Sequence, residues 1–187
     1  MEFRDWVLQH CGPPSRFLSI GNTIDIEGTL GKAGWEGLCV QSLSEMKQPG
    51  HWRPKKLQLI YGQMGPDPHF VPCMVEGASV KAITVEDIFD QFLYGKDWPV
   101  VLIFVEDQHR MVWSLLKDKL LREVEDRSVW LPGLRRFHVK EVRPQLWIMP
   151  EDSHNEAVVA WGQANGYTCE VMKWAHWDVL VLHRSVR

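Results

Sequence analysis

An α+β fold is what the sequence predicts, on three observations. Along 176–182, Trp177, Val179 and Val181 alternate with His176, Asp178, Leu180 and Leu182, the two-residue period of a half-buried strand. Val85, Ile88, Phe89, Phe92 and Leu93 instead recur at i, i+3, i+4, i+7 and i+8, an apolar stripe along a helix. Val100 to Val105 is unbroken by any polar residue and suits a strand covered on both faces. With 187 residues, 45% of them hydrophobic, the chain can bury one good core, so a single domain over 1–187 is expected.

The elements follow in order. Phe3, Trp6 and Val7 sit at helical spacing, and Gly12-Pro13-Pro14 ends that helix. Phe17–Ile20 and Ile24–Ile26 are short β-like runs around Gly21-Asn22, which reads as the turn of a hairpin. From Cys39, the spacing of Val40, Leu43 and Met46 favours a helix that stops before Pro49-Gly50. Leu57–Tyr61 and Phe70–Val75 read as strands, separated by the turn-rich Gly65-Pro66-Asp67-Pro68. Thr84 to Asp87 resembles a capping box with Asp in place of Glu or Gln, and it opens the striped helix that ends at Gly95.

After the apolar run at 100–105, Asp107 can cap a helix carrying Val112, Leu115, Leu116 and Leu120 through to about Glu125. Residues 128–150, broken by Pro132-Gly133 and Pro144, suit short strands. Ser153 to Glu156 is a capping box opening a helix up to Gly166. Two strands close the chain, Tyr167–Met172 and Ala175–Leu182, with His176 at the start of the second.

Composition narrows the function. A net charge of −3 with both signs interspersed argues against nucleic acid and against anionic membranes as partners. Cys11, Cys39, Cys73 and Cys169 lie far apart without Cys-x-x-Cys spacing, which speaks against a disulfide framework or a thiolate zinc site and for a reducing, cytoplasmic setting. No apolar run approaches the length of a membrane span, and the N-terminus lacks a signal-peptide pattern. Ten tryptophans serve a core and a recognition surface equally well.

One constellation carries chemistry. A thiolate nucleophile needs a base, a group that orients the base, and donors for an oxyanion. Cys39 at a helix start, His176, Asp178 two residues on along the same strand face, and the backbone around Glu36 and Gly37 would supply these. The order of cysteine first and histidine on a late strand is that of papain-like thiol hydrolases.

Glu36-Gly37-Leu38-Cys39 and His176-Trp177-Asp178 together resemble the two motifs of the ovarian-tumour (OTU) family of deubiquitinating cysteine proteases, including its nairovirus members. Thr84 to Trp98 and Glu156 to Val171 are similar in character to further segments of those viral enzymes. The resemblance implies a papain-like, OTU-like fold with a central, mostly antiparallel sheet flanked by helices, and an inserted segment around 100–152. It also implies catalytic Cys39, His176 and Asp178 with Glu36 and Gly37 in support, no cofactor and no metal. Its partner would be ubiquitin or a ubiquitin-like protein, with other host proteins besides.

The rival reading is a non-enzymatic α+β interaction module, a viral antagonist or immunity-type protein, that uses exposed aromatics on a protein partner. An RNA-binding use of Arg135, Arg136, Lys140 and Arg143 is opposed by the acidic balance. His10, Cys11 and His154 lack metal-ligand spacing.

Overall fold

The computed structural model describes residues 2–21, 24–41, 57–61, 70–72, 79–81, 83–88, 98–105, 109–118, 121–125, 137–141 and 143–184. In chain order the elements are α1 (Phe3–His10), β1 (Arg16–Gly21), α2 (Ile24–Lys32), β2 (Glu36–Gln41), β3 (Leu57–Tyr61), β4 (Phe70–Pro72), β5 (Ser79–Lys81) and α3 (Val85–Ile88). They continue with β6 (Val100–Phe104), α4 (His109–Asp118), β7 (Leu121–Glu125), β8 (Phe137–Glu141), β9 (Leu146–Pro150), α5 (Glu156–Ala164), β10 (Thr168–Trp174) and β11 (Trp177–His183).

Seven strands form one sheet in the order β10-β11-β9-β6-β1-β2-β3. β3, β2, β1, β6 and β9 run parallel, while β11 is antiparallel to both β9 and β10. The sheet is therefore mostly parallel, which corrects the expected antiparallel, papain-like arrangement. The physical reason lies in the connections: a helix between β1 and β2 returns the chain to the same end of the sheet, so the two strands must run the same way.

Local packing explains each departure. The predicted hairpin over 17–26 is β1 followed by α2, because Ile26 and Leu30 stand one helical turn apart and both bury completely against the sheet. Glu36–Gln41 is a central strand: Leu38, Cys39 and Val40 are all buried, on alternating sides. Segment 100–152 is not an insertion, since β6 and β9 occupy the middle of the sheet. Residues 121–125 pair with β8 as a hairpin strand instead of extending α4.

Several expectations hold. The first helix, the strand at 57–61, the strand at 100–104 and the closing pair of strands form as predicted. Thr84 does close a capping box, its Oγ1 accepting from the Asp87 N–H at 3.1 Å while Asp87 Oδ2 accepts from the Thr84 N–H at 2.9 Å. Ser153 caps nothing. Asn155 precedes α5, and its Nδ2 donates to the Pro150 carbonyl. The predicted helical residues 89–93, Asp107 and the stretch 42–50 lie outside the described residues.

Both faces of the sheet are covered. On one side α3, α4 and α5 pack over Leu18, Val101, Ile103, Trp147, Leu180 and Leu182; on the other α1 and α2 cover Phe17, Leu102, Ile148, Val179 and Val181. This accounts for the near-continuous apolar sequence of β6 and β9. Under α5 lies an aromatic cluster in which Trp161 stacks on Tyr167 and meets Trp147 and Trp113 edge-on. Among the described residues no helix is long and apolar enough to cross a membrane.

The cluster holds a short buried relay. Trp147 Nε1–H donates to Tyr167 Oη at 3.3 Å, and that hydroxyl donates to the Pro144 carbonyl at 2.7 Å. Tyr167→Phe keeps the stacked ring but strands a buried donor and a buried acceptor, so it should cost about 1–3 kcal/mol in a denaturant titration. Unchanged stability would mean that the relay contributes nothing.

Candidate functional site

The parallel strands all end at one edge of the sheet, and β1 is where the connections reverse direction. From β1 the chain steps outward through β2 to β3, then returns to β6 on the other side of β1. Helices leaving neighbouring strands in opposite directions open a crevice above the strand ends, the usual ligand position in open α/β sheets.

Gly21 ends β1 at this point with φ +95°, and it pairs in register with Phe104 at the end of β6. A Cβ on Gly21 would stand 2.0 Å from the Phe104 carbonyl oxygen, so no side chain fits there. α2 begins three residues later on the face carrying Phe17 and Leu102. Beneath its first turns Glu27 is buried; Ser19 Oγ–H donates to its Oε1 at 2.5 Å, tying the helix to β1.

Next to the crevice, the ends of β6 and β9 are joined through Asp152. Its Oδ2 accepts from Arg110 Nε at 3.0 Å and Nη2 at 2.8 Å, and stands 3.0 Å from His109 Nε2. Its Oδ1 accepts from the His154 N–H at 2.8 Å. Burial pushes this carboxyl upward, but the His154 N–H, the Arg110 guanidinium and His109 outweigh it and hold the group below its ordinary value. No local pattern marks this cluster: His109 opens α4 and Asp152 follows β9, and only the parallel pairing of β6 with β9 brings them together.

The β10–β11 hairpin reaches the same edge. β10 runs parallel to β9, so its last residue, Trp174, and the first residue of β11, Trp177, both stand beside the end of β9. The Glu151 N–H donates to the Asp178 carbonyl there at 2.9 Å. Trp174 meets Phe104 edge-to-face at 5.2 Å, and Trp177, its partner across the hairpin, is 65% exposed.

The residues expected to form a thiol-hydrolase site are not brought together. Cys39 lies in the middle of β2, and three strands stand between β2 and β11, a separation of about 19 Å at roughly 4.8 Å per strand. Burial and the neighbouring Glu27 carboxylate push the Cys39 thiol far above the usual thiol range, the reverse of what a nucleophile needs. His176 sits exposed in the hairpin turn, after Ala175 at φ +52°. Asp178 is bound by Lys173, whose Nζ lies 2.9 and 3.0 Å from its two oxygens.

Glu36 and Gly37 open β2 at the opposite end of the sheet from the crevice. Glu36 pairs with Arg16 at 3.5 Å, and Gly37 is paired with strands on both sides, which leaves no oxyanion pocket. Among the described residues no group of three or more His, Cys, Asp or Glu is placed to hold a metal ion.

No protein-family model and no curated protein sequence matches the chain. Solved structures do. A Staphylococcus aureus protein described as a caffeoyl-CoA O-methyltransferase superposes with a TM-score of 0.51 at 11% identity, covering 96% of this chain and 80% of the other. The fold is class I methyltransferase-like. A glycopeptide N-methyltransferase, MtfA, solved with S-adenosyl-L-methionine, aligns over 96% of this chain and 90% of its own at 12% identity, with a TM-score of 0.41. The methyltransferase-like fold replaces the papain-like one, and with it the OTU resemblance and the thiol-hydrolase reading fall.

Two measurements probe this geometry. Alkylation of the native protein at pH 8 followed by peptide mapping should leave Cys39 and Cys11, whose thiol is pushed up to about 12 by burial, unlabelled until denaturant is added. Early labelling of Cys39 would contradict its placement. Asp152→Asn should melt below the parent protein at neutral pH. A carboxyl held low in the folded state contributes stability above its unfolded value, and that contribution disappears as pH falls through the folded value. The gap between the two melting curves should therefore narrow as pH falls below about 4, the ordinary carboxylate value.

Proposed function

We propose that the chain is an S-adenosylmethionine-dependent methyltransferase whose cofactor lies in the crevice above Gly21. The observation that carries this reading is what surrounds that glycine. A dinucleotide-binding turn needs Gly-x-Gly-x-x-Gly: the first glycine for the tight turn, the second so that backbone can approach a pyrophosphate, the third for helix packing. Here the first is present and sterically compulsory, but Thr23 and Ile26 stand at the other two positions.

The sequence therefore keeps the first glycine and lacks the two others of the dinucleotide pattern. S-adenosylmethionine carries no phosphate. α2 starts at Ile24, three residues after Gly21. A turn with the first glycine alone suits an adenosyl group without phosphates better than a dinucleotide. The cofactor supplies an electrophilic methyl on a sulfonium. The chain holds the adenosyl end at Gly21 and leaves the ends of β6 and β9 to shape the acceptor side. The methyltransferase fold of the S. aureus protein agrees with this reading.

Isothermal titration with S-adenosylmethionine, S-adenosylhomocysteine and NADH tests it. Both sulfur nucleosides should bind and NADH should not. At a hundredfold excess over Kd, S-adenosylhomocysteine should stabilise the fold by about 2.7 kcal/mol. Binding of NADH alone, or of none of the three, would overturn the assignment.

A further inference from the structure

The large sheet ends at β10, which has no strand on its outer side. Edge strands are ordinarily guarded by shortness, a proline, a bulge or a covering element. β10 has none of the first three: it runs for seven residues without proline, and its pairing with β11 is unbroken from Thr168↔His183 to Trp174↔Trp177. Nor is it covered. Thr168, Glu170, Val171 and Lys173 are exposed, and among the described residues no loop backbone bonds to the strand. Val171, in the middle, is 58% exposed, although Leu180 directly opposite on β11 is buried at 2%. Leu180 has a neighbouring strand on each side, and Val171 has one on a single side.

We propose that this edge is a homodimer interface. Two copies of the chain pair their β10 strands antiparallel about a two-fold axis that passes beside Val171, and the two sheets become one. The interface stands whether or not the chain binds S-adenosylmethionine, because it draws on the outer edge of the sheet and not on the crevice at Gly21.

The strand is complementary to itself, which selects a second copy over a foreign strand. Residues paired across a ladder share a face of the sheet, so a two-fold axis perpendicular to the sheet must set one residue opposite itself. Thr168, Cys169 and Glu170 precede Val171 in β10, and Met172, Lys173 and Trp174 follow it. An axis at Val171 therefore pairs the strand over its whole length: Val171 meets Val171 of the second copy, Glu170 meets Met172, Cys169 meets Lys173 and Thr168 meets Trp174. Each exposed valine is covered by the other, and no like charges stand opposite. The alternatives are worse. An axis at Glu170 or at Lys173 sets two like charges face to face, and one at Met172 shortens the overlap and lays Val171 on Lys173.

Sedimentation velocity of the full chain over a concentration series, up to its solubility limit, tests the dimer, and cysteine crosslinking tests its register. The parent should reach twice the mass of one chain. Val171→Lys puts two ammonium groups opposite each other where the valines met, and it should weaken self-association about tenfold or more. Its circular dichroism should match the parent's, since the side chain is largely exposed. Val171→Cys, oxidised with copper phenanthroline, should give a disulfide-linked dimer above the parent's background, because directly opposed Cβ atoms lie about 4.5–5.5 Å apart, within a small adjustment of disulfide geometry. Glu170→Cys faces Met172 of the second copy and should not crosslink. A parent that stays monomeric throughout, a dimer that Val171→Lys leaves as tight as before, or crosslinking through Glu170→Cys in place of Val171→Cys would each overturn the proposal. If Val171→Lys does not fold, the crosslinking pair decides.

Discussion

β1 and β6 meet so closely at their ends that only hydrogen fits between the Gly21 Cα and the Phe104 carbonyl, and the rest of the molecule is arranged around that contact. Because the backbone leaves Gly21 at φ +95°, the chain can turn sharply out of the sheet into α2 without passing over β6. β6 is then free to lie directly against β1, with Phe17 to Gly21 paired to Val100 to Phe104. Outward travel through β2 and β3, followed by return to β6, makes β1 the strand at which the order reverses. Strand order of this kind puts the usual ligand position of open α/β sheets at the ends of β1 and its neighbours.

Electrostatics at this edge orient more than they stabilise. Arg110, Lys173 and Asp178 are substantially solvent-exposed, and exposed ion pairs contribute little net free energy. Their effect is geometric. Asp152 fixes the start of α4 against the end of β9, and Lys173 binds Asp178 across the β10–β11 hairpin. The core supplies the stability instead, through large side chains shielded on both faces of the sheet.

The thiol-hydrolase expectation failed for an instructive reason. Cys39 follows Gly37-Leu38 and precedes apolar residues at three-residue spacing, which fits a helix start, but the same residues fit a strand whose two faces are both covered. Periodicity cannot separate these when the segment is short and apolar throughout. A buried thiol beside a buried carboxylate is among the least reactive cysteine environments, and no local pattern announces it. His176 and Asp178 were read as one strand face; a two-residue turn removed His176 from the strand and Lys173 claimed Asp178.

What the sequence determined by itself was local: the helix at 3–10, the capping box at Thr84, the strands at 57–61 and 100–104, and the final strand pair all follow from spacing, caps and turn residues within a few positions of one another. Strand direction and neighbour order are set by contacts between distant segments, such as Leu102 against Ile148 or Ser19 against Cys39, and no single stretch encodes them. The candidate site inherits that dependence. Gly21 was visible as a turn residue, yet the reason it must be glycine lies in Phe104, and the Asp152 cluster takes its meaning from ending at the same edge of the sheet. Local free energies choose helix or strand; only the burial of both sheet faces at once chooses which strands lie side by side.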